Sequence, residues 1–259
     1  MTASGFGLSR DDLARETQRF DVAEEQVRRD HMISHILGAI SASLQDDVLF
    51  FGGTALSRTH LVHARLSEDI DLIALGNRQQ IAERIVISVD NALRRTHGRL
   101  TWAPRFGTRD VEPALVETAS GISIRIQLLH QKGYESWPTE LRRIEQRYQD
   151  APGATLLVPT LDSFAAWKTA AWSSRAAPRD LYDLWALAHA GALTPTAARL
   201  YVKHGPTGRP PRESNFAAAP SEAEWRASLS PQTRLNVTAR DALAVVRREW
   251  ARAVRQLKN

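Results

Sequence analysis

The sequence predicts a mixed α/β sheet flanked by helices, followed by a helical C-terminal region. Three observations predict it. Val48-Leu49-Phe50-Phe51 is a short apolar run ended by two glycines, the pattern of a buried strand. Ile122, Ile124, Ile126 and Leu128 alternate with Ser123, Arg125 and Gln127, a period of two. Between and beyond these runs, apolar residues recur at helical spacing. Helices interleaved with strands point to a sheet covered by helices.

In chain order, Val22, Val27, Ile33, Ile36, Leu37, Ile40 and Leu44 predict a helix over about 21–44, broken at Asp46-Asp47. The strand at 48–51 follows, then a short helix over 54–63. A second strand spans 69–75 and closes at Gly76-Asn77. Residues 81–95 read as helix, and 102–106, 111–117 and 122–130 as strands. From about residue 152 the pattern turns helical. Thr160 is the expected N-cap of a helix reaching about 174, and a second helix runs over 179–189 to Gly191. Pro206, Pro210, Pro211 and Pro220 mark 205–220 as a loop. A last helix is expected over 231–257, with Leu243, Val246, Trp250, Val254 and Leu257 on one face and Arg240, Arg247, Arg248, Arg252 and Arg255 largely on the other. Trp167, Trp172, Tyr182 and Trp185 are expected to form core between the two helices that carry them. The expected domains are 1–151 and 152–259.

Composition narrows the function classes. The 259 residues are 43% hydrophobic, enough for a core, and contain no cysteine. Disulfides, thiolate catalysis and cysteine-ligated zinc are thereby excluded. Residues 1–6 have no basic flank before an apolar run, so no signal peptide is expected, and no apolar stretch nears the roughly 20 residues of a membrane span. A cytoplasmic protein with no membrane partner is the expectation. The net charge of +5 and pI near 9.9 suit a polyanionic partner, although arginine-rich, alanine-rich chains also arise from genome composition. The eight histidines are scattered, and although His60 and His63 lie three apart, no recognised zinc spacing is present, so zinc is not expected. The segment with Lys203, His204, Arg209 and Arg212 reads equally as a solvated loop or a grip on a nucleic-acid backbone.

The chemistry-bearing pattern is a carboxylate pair. Asp69 and Asp71 are two apart on a predicted strand, so both side chains leave one face. Two carboxylates held close repel unless a cation lies between them. Mg²⁺ suits such a pair because it takes hard oxygen ligands and keeps places for phosphate oxygens. Alone, D-x-D is a common accident. Here Gly52-Gly53-Thr54 precedes it, closing a strand and opening a helix. Glycines there let backbone N–H groups approach a phosphate, and the helix N-terminus favours its charge. The Thr54 hydroxyl could add a donor, and Arg58 lies four residues on along the same helix face.

Phe51-Gly52-Gly53-Thr54-Ala55-Leu56 followed by Arg65-Leu66-Ser67-Glu68-Asp69-Ile70-Asp71-Leu72 resembles the AbiEii-type nucleotidyltransferase toxins, which include the mycobacterial MenT group, within the polymerase-β-like nucleotidyltransferase superfamily. The family's downstream lysine and R-D-x-x-D helix match Lys168 and Arg179-Asp180-Leu181-Tyr182-Asp183. The resemblance covers 51–183. It implies a nucleotidyltransferase-type sheet, Mg²⁺ (or Mn²⁺) on Asp69 and Asp71, and a nucleoside triphosphate held by Gly52, Gly53, Thr54 and Arg65 or Arg58. Lys168 would neutralise triphosphate charge, with Asp183 near the metal or orienting Lys168, and Asp180 in one of those roles or only capping. Many enzymes of the superfamily carry a third carboxylate on a later strand. The strand at 122–130 offers Arg125 and Gln127 there, with Glu112 and Glu117 on the strand before, so the general base stays open. The implied reaction moves a nucleotide, with CTP or UTP as candidate donors, onto an acceptor hydroxyl, the tRNA 3′ end, blocking translation. A cognate antitoxin is implied as partner. Ser67 is a candidate phosphosite, because a phosphate there would place about −1.5 to −2 charges beside the triphosphate. A protein or small-molecule acceptor, or a nucleotide-binding module without turnover, are the alternatives.

Overall fold

The computed structural model describes residues 7–106, 112–134 and 137–257. The expectations about residues 1–6 and Val111 lie outside them.

The chain divides into two units, the first formed by residues 1–135 and 140–158, the second by 136–139 and 159–259. The first is built on a sheet of order β3-β4-β5-β2-β1-β7-β6. Its strands are β1 (Val48–Phe51), β2 (Asp69–Ala74), β3 (Leu100–Ala103), β4 (Ala114–Thr118), β5 (Ser123–His130), β6 (Thr139–Ile144) and β7 (Ala154–Pro159). Strand β2 is antiparallel to β1 and parallel to β5, and β7 runs parallel to β1. The sheet is therefore mixed, as expected. Helices α1 (Arg10–Phe20), α2 (Glu24–Leu44), α3 (Gly52–Thr59) and α4 (Arg78–Leu93) complete the unit.

The central strands bury one face completely. Ile70, Leu72, Ile124 and Ile126 are fully buried, so β2 and β5 present a continuous apolar surface on that side. Helix α2 is buried nearly all round: Val27, Met32, Ile33, Ile36, Leu37 and Ile40 have no or almost no exposed surface, and the polar Asp30, His31, Ser34 and His35 are buried too. A helix without a polar face is a core element.

The second unit is helical: α5 (Leu161–Arg175), α6 (Pro178–His189), α7 (Pro195–His204), a 3₁₀ turn at Glu213–Phe216, α8 (Glu222–Leu229) and α9 (Ala239–Leu257). Thr160 caps α5 as expected, its hydroxyl oxygen accepting from the Ser163 N–H. Trp172 and Tyr182 are buried, whereas Trp167 and Trp185 are half-buried. Trp167 stacks on Trp137 at 5.1 Å between ring centroids.

Several expectations are corrected. The chain is not yet helical at residue 152: Ala154–Pro159 is strand β7, with Leu156 and Val158 fully buried. The last helix begins at Ala239, not 231. The Thr238 hydroxyl oxygen accepts from the Asp241 N–H there, while the residues before it form α8 and a connecting loop. Helices α1, α7 and α8 and strand β6 were not anticipated. Among the described residues, no helix is long and apolar enough to cross a membrane.

Candidate nucleotidyl-transfer site

Strand β1 ends at Phe51, and the chain turns at once into α3, whose first residues are Gly52 and Gly53. Phe51 pairs with Asp71 across the β1–β2 ladder, which sets the glycine turn beside the second carboxylate. Gly52 has φ +80°, and a Cβ there would lie 2.2 Å from Asp71 Oδ2. Only a residue without a side chain allows the turn and the carboxylate to approach this closely. At Gly53 a Cβ would lie 2.8 Å from an Arg65 guanidinium nitrogen and 3.2 Å from Ser67 Oγ. The two glycines thus pack against the segment 65–71, the second half of the motif. Arg65 and Ser67 are buried, Arg65 donating to the Leu66 carbonyl at 3.0 Å.

Asp69 and Asp71 alternate with the buried Ile70 and Leu72 and so leave the opposite face. In register they stand beside Arg125 and Gln127 of β5. Arg125 Nε lies 3.6 Å from Asp69 Oδ1, and the Asp69 side chain keeps 35% of its surface exposed. At the register position next to Asp69 this chain therefore places a guanidinium, not a third acid. Glu117 is opposite Ser123, two pairs beyond the row of Asp69 and two strands away. Strand and residue spacings put that at roughly 12 Å, too far to share an ion with the pair.

Two expected ligands are corrected. The Thr54 hydroxyl is buried and donates to the Asp69 carbonyl, so it ties α3 to β2 and has no proton left for a phosphate. Its backbone N–H remains in the first turn of α3, where such groups have no intrahelical acceptor. Arg58 is fully buried and points to the opposite end of α3. Its guanidinium pairs with Asp30 at 2.8 Å and donates to Ser34 Oγ at 2.7 Å and the Glu145 carbonyl at 2.9 Å. Arg147 and the Tyr148 hydroxyl also bond Asp30. Burial alone would raise the Asp30 pKa, but Arg58 and Arg147 outweigh it and hold the carboxyl below its usual range. Arg58 belongs to a buried structural network, and Arg65 is the arginine beside the glycines.

In the second unit, Lys168 Nζ lies 2.7 Å from Asp183 Oδ2 and 3.2 Å from Asp180 Oδ1. Asp180 is fully buried and takes two further bonds from Arg175, at 2.6 and 3.0 Å. The lysine is buried between both acids of the R-D-x-x-D helix. A second cation on Asp180 is Arg175, at the end of α5. Its five-residue separation across a helix break gave no periodic signal.

The donor set fits a divalent ion. Two hard carboxylates share one face of β2, and the glycine turn leaves room for nothing bulkier against Asp71. A glycine turn opening a helix, with two alternate carboxylates on the adjacent strand, is the arrangement the resemblance to nucleotidyltransferases implies. The family model described as nucleotidyl transferase AbiEii toxin, type IV toxin–antitoxin system, matches residues 35–258, and the chain belongs to this family. Among solved structures it is similar to MenT4, a nucleotidyltransferase toxin from Mycobacterium tuberculosis H37Rv, with 25% identity and a TM-score of 0.71 over 96% of this chain and 90% of that one. A putative nucleotidyltransferase from H. pylori shares the fold at 12% identity and a TM-score of 0.54, over 92% and 98% of the two chains. None of the curated proteins matches the sequence significantly.

Proposed function

We propose that this toxin-family enzyme transfers a nucleotide from a nucleoside triphosphate, CTP or UTP, to the 3′ end of tRNA, with Asp69 and Asp71 holding Mg²⁺ or Mn²⁺. The observation that carries the reading is the approach of the Gly52 backbone to the Asp71 carboxylate. A phosphate seated on the N–H groups opening α3 would meet the ion that the carboxylates hold.

In the reaction the acceptor hydroxyl oxygen attacks the α-phosphorus, the bond to the bridging oxygen breaks, and pyrophosphate leaves. A bound divalent ion supplies charge neutralisation at the α-phosphate and lowers the pKa of the attacking hydroxyl. Gly53 and Thr54 offer backbone N–H groups to the triphosphate, and Arg65 adds positive charge beside them. The same reading gives Lys168 the task of neutralising triphosphate charge, with Asp180 and Asp183 fixing its ammonium. Ser67 belongs to the proposal as an off-switch. Its hydroxyl faces Gly53, so a phosphate there would bring its charge against the glycine turn. Nucleoside triphosphates and tRNA place the activity in the cytoplasm, and family membership supplies the antitoxin partner.

The positive net charge favours a polyanionic acceptor. Arg125 beside Asp69 favours a second reading, nucleotide binding without turnover, because a cation already partners one carboxylate. Incubating the chain with Mg²⁺, each α-labelled triphosphate and total tRNA separates these. Label in tRNA supports the proposal. Label in protein or in a small molecule moves the acceptor, and retention of nucleotide without any transfer supports the second reading.

A further inference from the structure

Away from the carboxylate pair, three side chains of the first unit converge on one point. His31 and His35 lie four residues apart on α2, on one face of the helix. Asp150 comes from the loop between β6 and β7. His31 Nε2 is 3.1 Å from both Asp150 oxygens, His35 Nε2 is 3.2 Å from Asp150 Oδ2, and the two Nε2 atoms are 3.2 Å apart. All three side chains are largely removed from solvent, at 4%, 8% and 16% exposure.

Both Nε2–H groups could donate to Asp150, His31 to Oδ1 and His35 to Oδ2, but this leaves two buried donors 3.2 Å apart crowded on one carboxylate. A cation at the centre, bound by the lone pairs of both nitrogens and a carboxylate oxygen, satisfies all three contacts together. We propose that His31, His35 and Asp150 form a zinc site that staples α2 to the β6–β7 loop, distinct from the Asp69–Asp71 pair.

The dimensions agree with zinc. An equilateral triangle of these edges has its centre about 1.8 Å from each corner. A zinc ion bonded at about 2.0 Å would then sit about 1 Å above the plane, as in a tetrahedral site. Two imidazoles and one carboxylate are zinc ligands by type, and the chain has no thiolate to compete. Burial holds His31 and His35 below the usual imidazole range against the pull of Asp150. The His97 ring packs beside both imidazoles, its centroid 5.3 and 5.4 Å from those of His31 and His35.

The test uses the untagged full-length chain, purified with and without added zinc chloride and dialysed against metal-free buffer. The proposal predicts one retained zinc per chain, a rise in unfolding temperature on adding zinc, and its reversal by chelator. Co²⁺ in place of zinc should give the intense visible bands of a tetrahedral site. His35→Gln should lower zinc affinity at least about tenfold. Asp150→Asn, a near-isosteric change on a loop, should do the same and guards against misfolding of the helix variant. Zinc bound no more tightly by the unmodified chain than by Asp150→Asn and His35→Gln would overturn the site. So would a weak octahedral Co²⁺ spectrum, which would assign the bound metal to carboxylates and water.

Discussion

A methyl group at position 52 would sit 2.2 Å from Asp71 Oδ2, on a backbone with φ +80°. Both facts penalise a side chain, and they can be separated. Gly121 has φ +83° with open space where its Cβ would lie. Gly121→Ala therefore carries the backbone strain alone, about 1–2 kcal/mol, and should leave nucleotidyl transfer unchanged. Gly52→Ala carries comparable strain and also displaces the carboxylate. It should lower kcat at least about tenfold at a similar loss of unfolding temperature, because misplacing a reacting group by about 1 Å is costly. Equal activities for the two variants would show that the close approach is irrelevant. The spacing of Gly52-Gly53-Thr54 and Asp69-x-Asp71 was legible in the sequence because both are local patterns. What Thr54 and Arg58 do was not. A hydroxyl aimed at a carbonyl 15 residues away, and a guanidinium buried on Asp30, depend on tertiary packing. The pair His31 and His35 carried a readable signal, two histidines at i and i+4, but their third partner Asp150 lies 115 residues on and has none.

Helix α3 serves two ends. Its N-terminus carries the glycine turn, and its other end is pinned through Arg58 to Asp30 and Ser34 of α2 and to the Glu145 carbonyl, while Arg147 bonds the same Asp30 and the Ser57 carbonyl. Breaking a fully buried ion pair costs about 3–5 kcal/mol, and with Arg147 and the Tyr148 hydroxyl still on Asp30 the loss of Arg58 falls at the lower end of that range. Arg58→Ala should therefore lower stability by about that amount, seen in the denaturant midpoint. The folded fraction should keep its KM for the triphosphate. A raised KM at unchanged stability would return Arg58 to the nucleotide site. Elements with strong periodicity were readable: β1, β2, β5, α2, α5 and α6 lie where expected. Those missed have physical reasons. Strand β6, Thr-Glu-Leu-Arg-Arg-Ile, lies at the sheet edge with half-exposed side chains and no apolar run. Strand β7 is a short apolar run, which periodicity cannot tell from a helix start. Helix α1 is mostly polar, yet its Asp12 and Glu16 are buried, held by Arg15. Helix α8 carries a capping box, Ser221 with Glu224, which is a readable local signal.

At the scale of the molecule, charge distinguishes acceptors. A chain of net charge +5 that grips a polyanion should bind it less tightly as salt rises, since contacts with phosphates release counterions. With tRNA as acceptor, KM for tRNA should climb steeply between about 50 and 200 mM salt, while a small neutral acceptor would show a shallow dependence. Not every arginine contributes. Arg247 of α9 donates to the Phe216 and Ala217 carbonyls, while Arg248 and Arg252 pair with Glu249.

The proposed metal pair is tested most directly by transfer itself. Asp69→Asn and Asp71→Asn keep the shape of each side chain and remove its charge. Each should reduce transfer of an α-labelled nucleotide by about 10³-fold or more, as expected when several kcal/mol of transition-state stabilisation are lost. Each should leave the fold intact by unfolding temperature. Transfer at the unmodified rate by either variant, in correctly folded protein, would contradict the assignment of Asp69 and Asp71 as the metal-binding carboxylates.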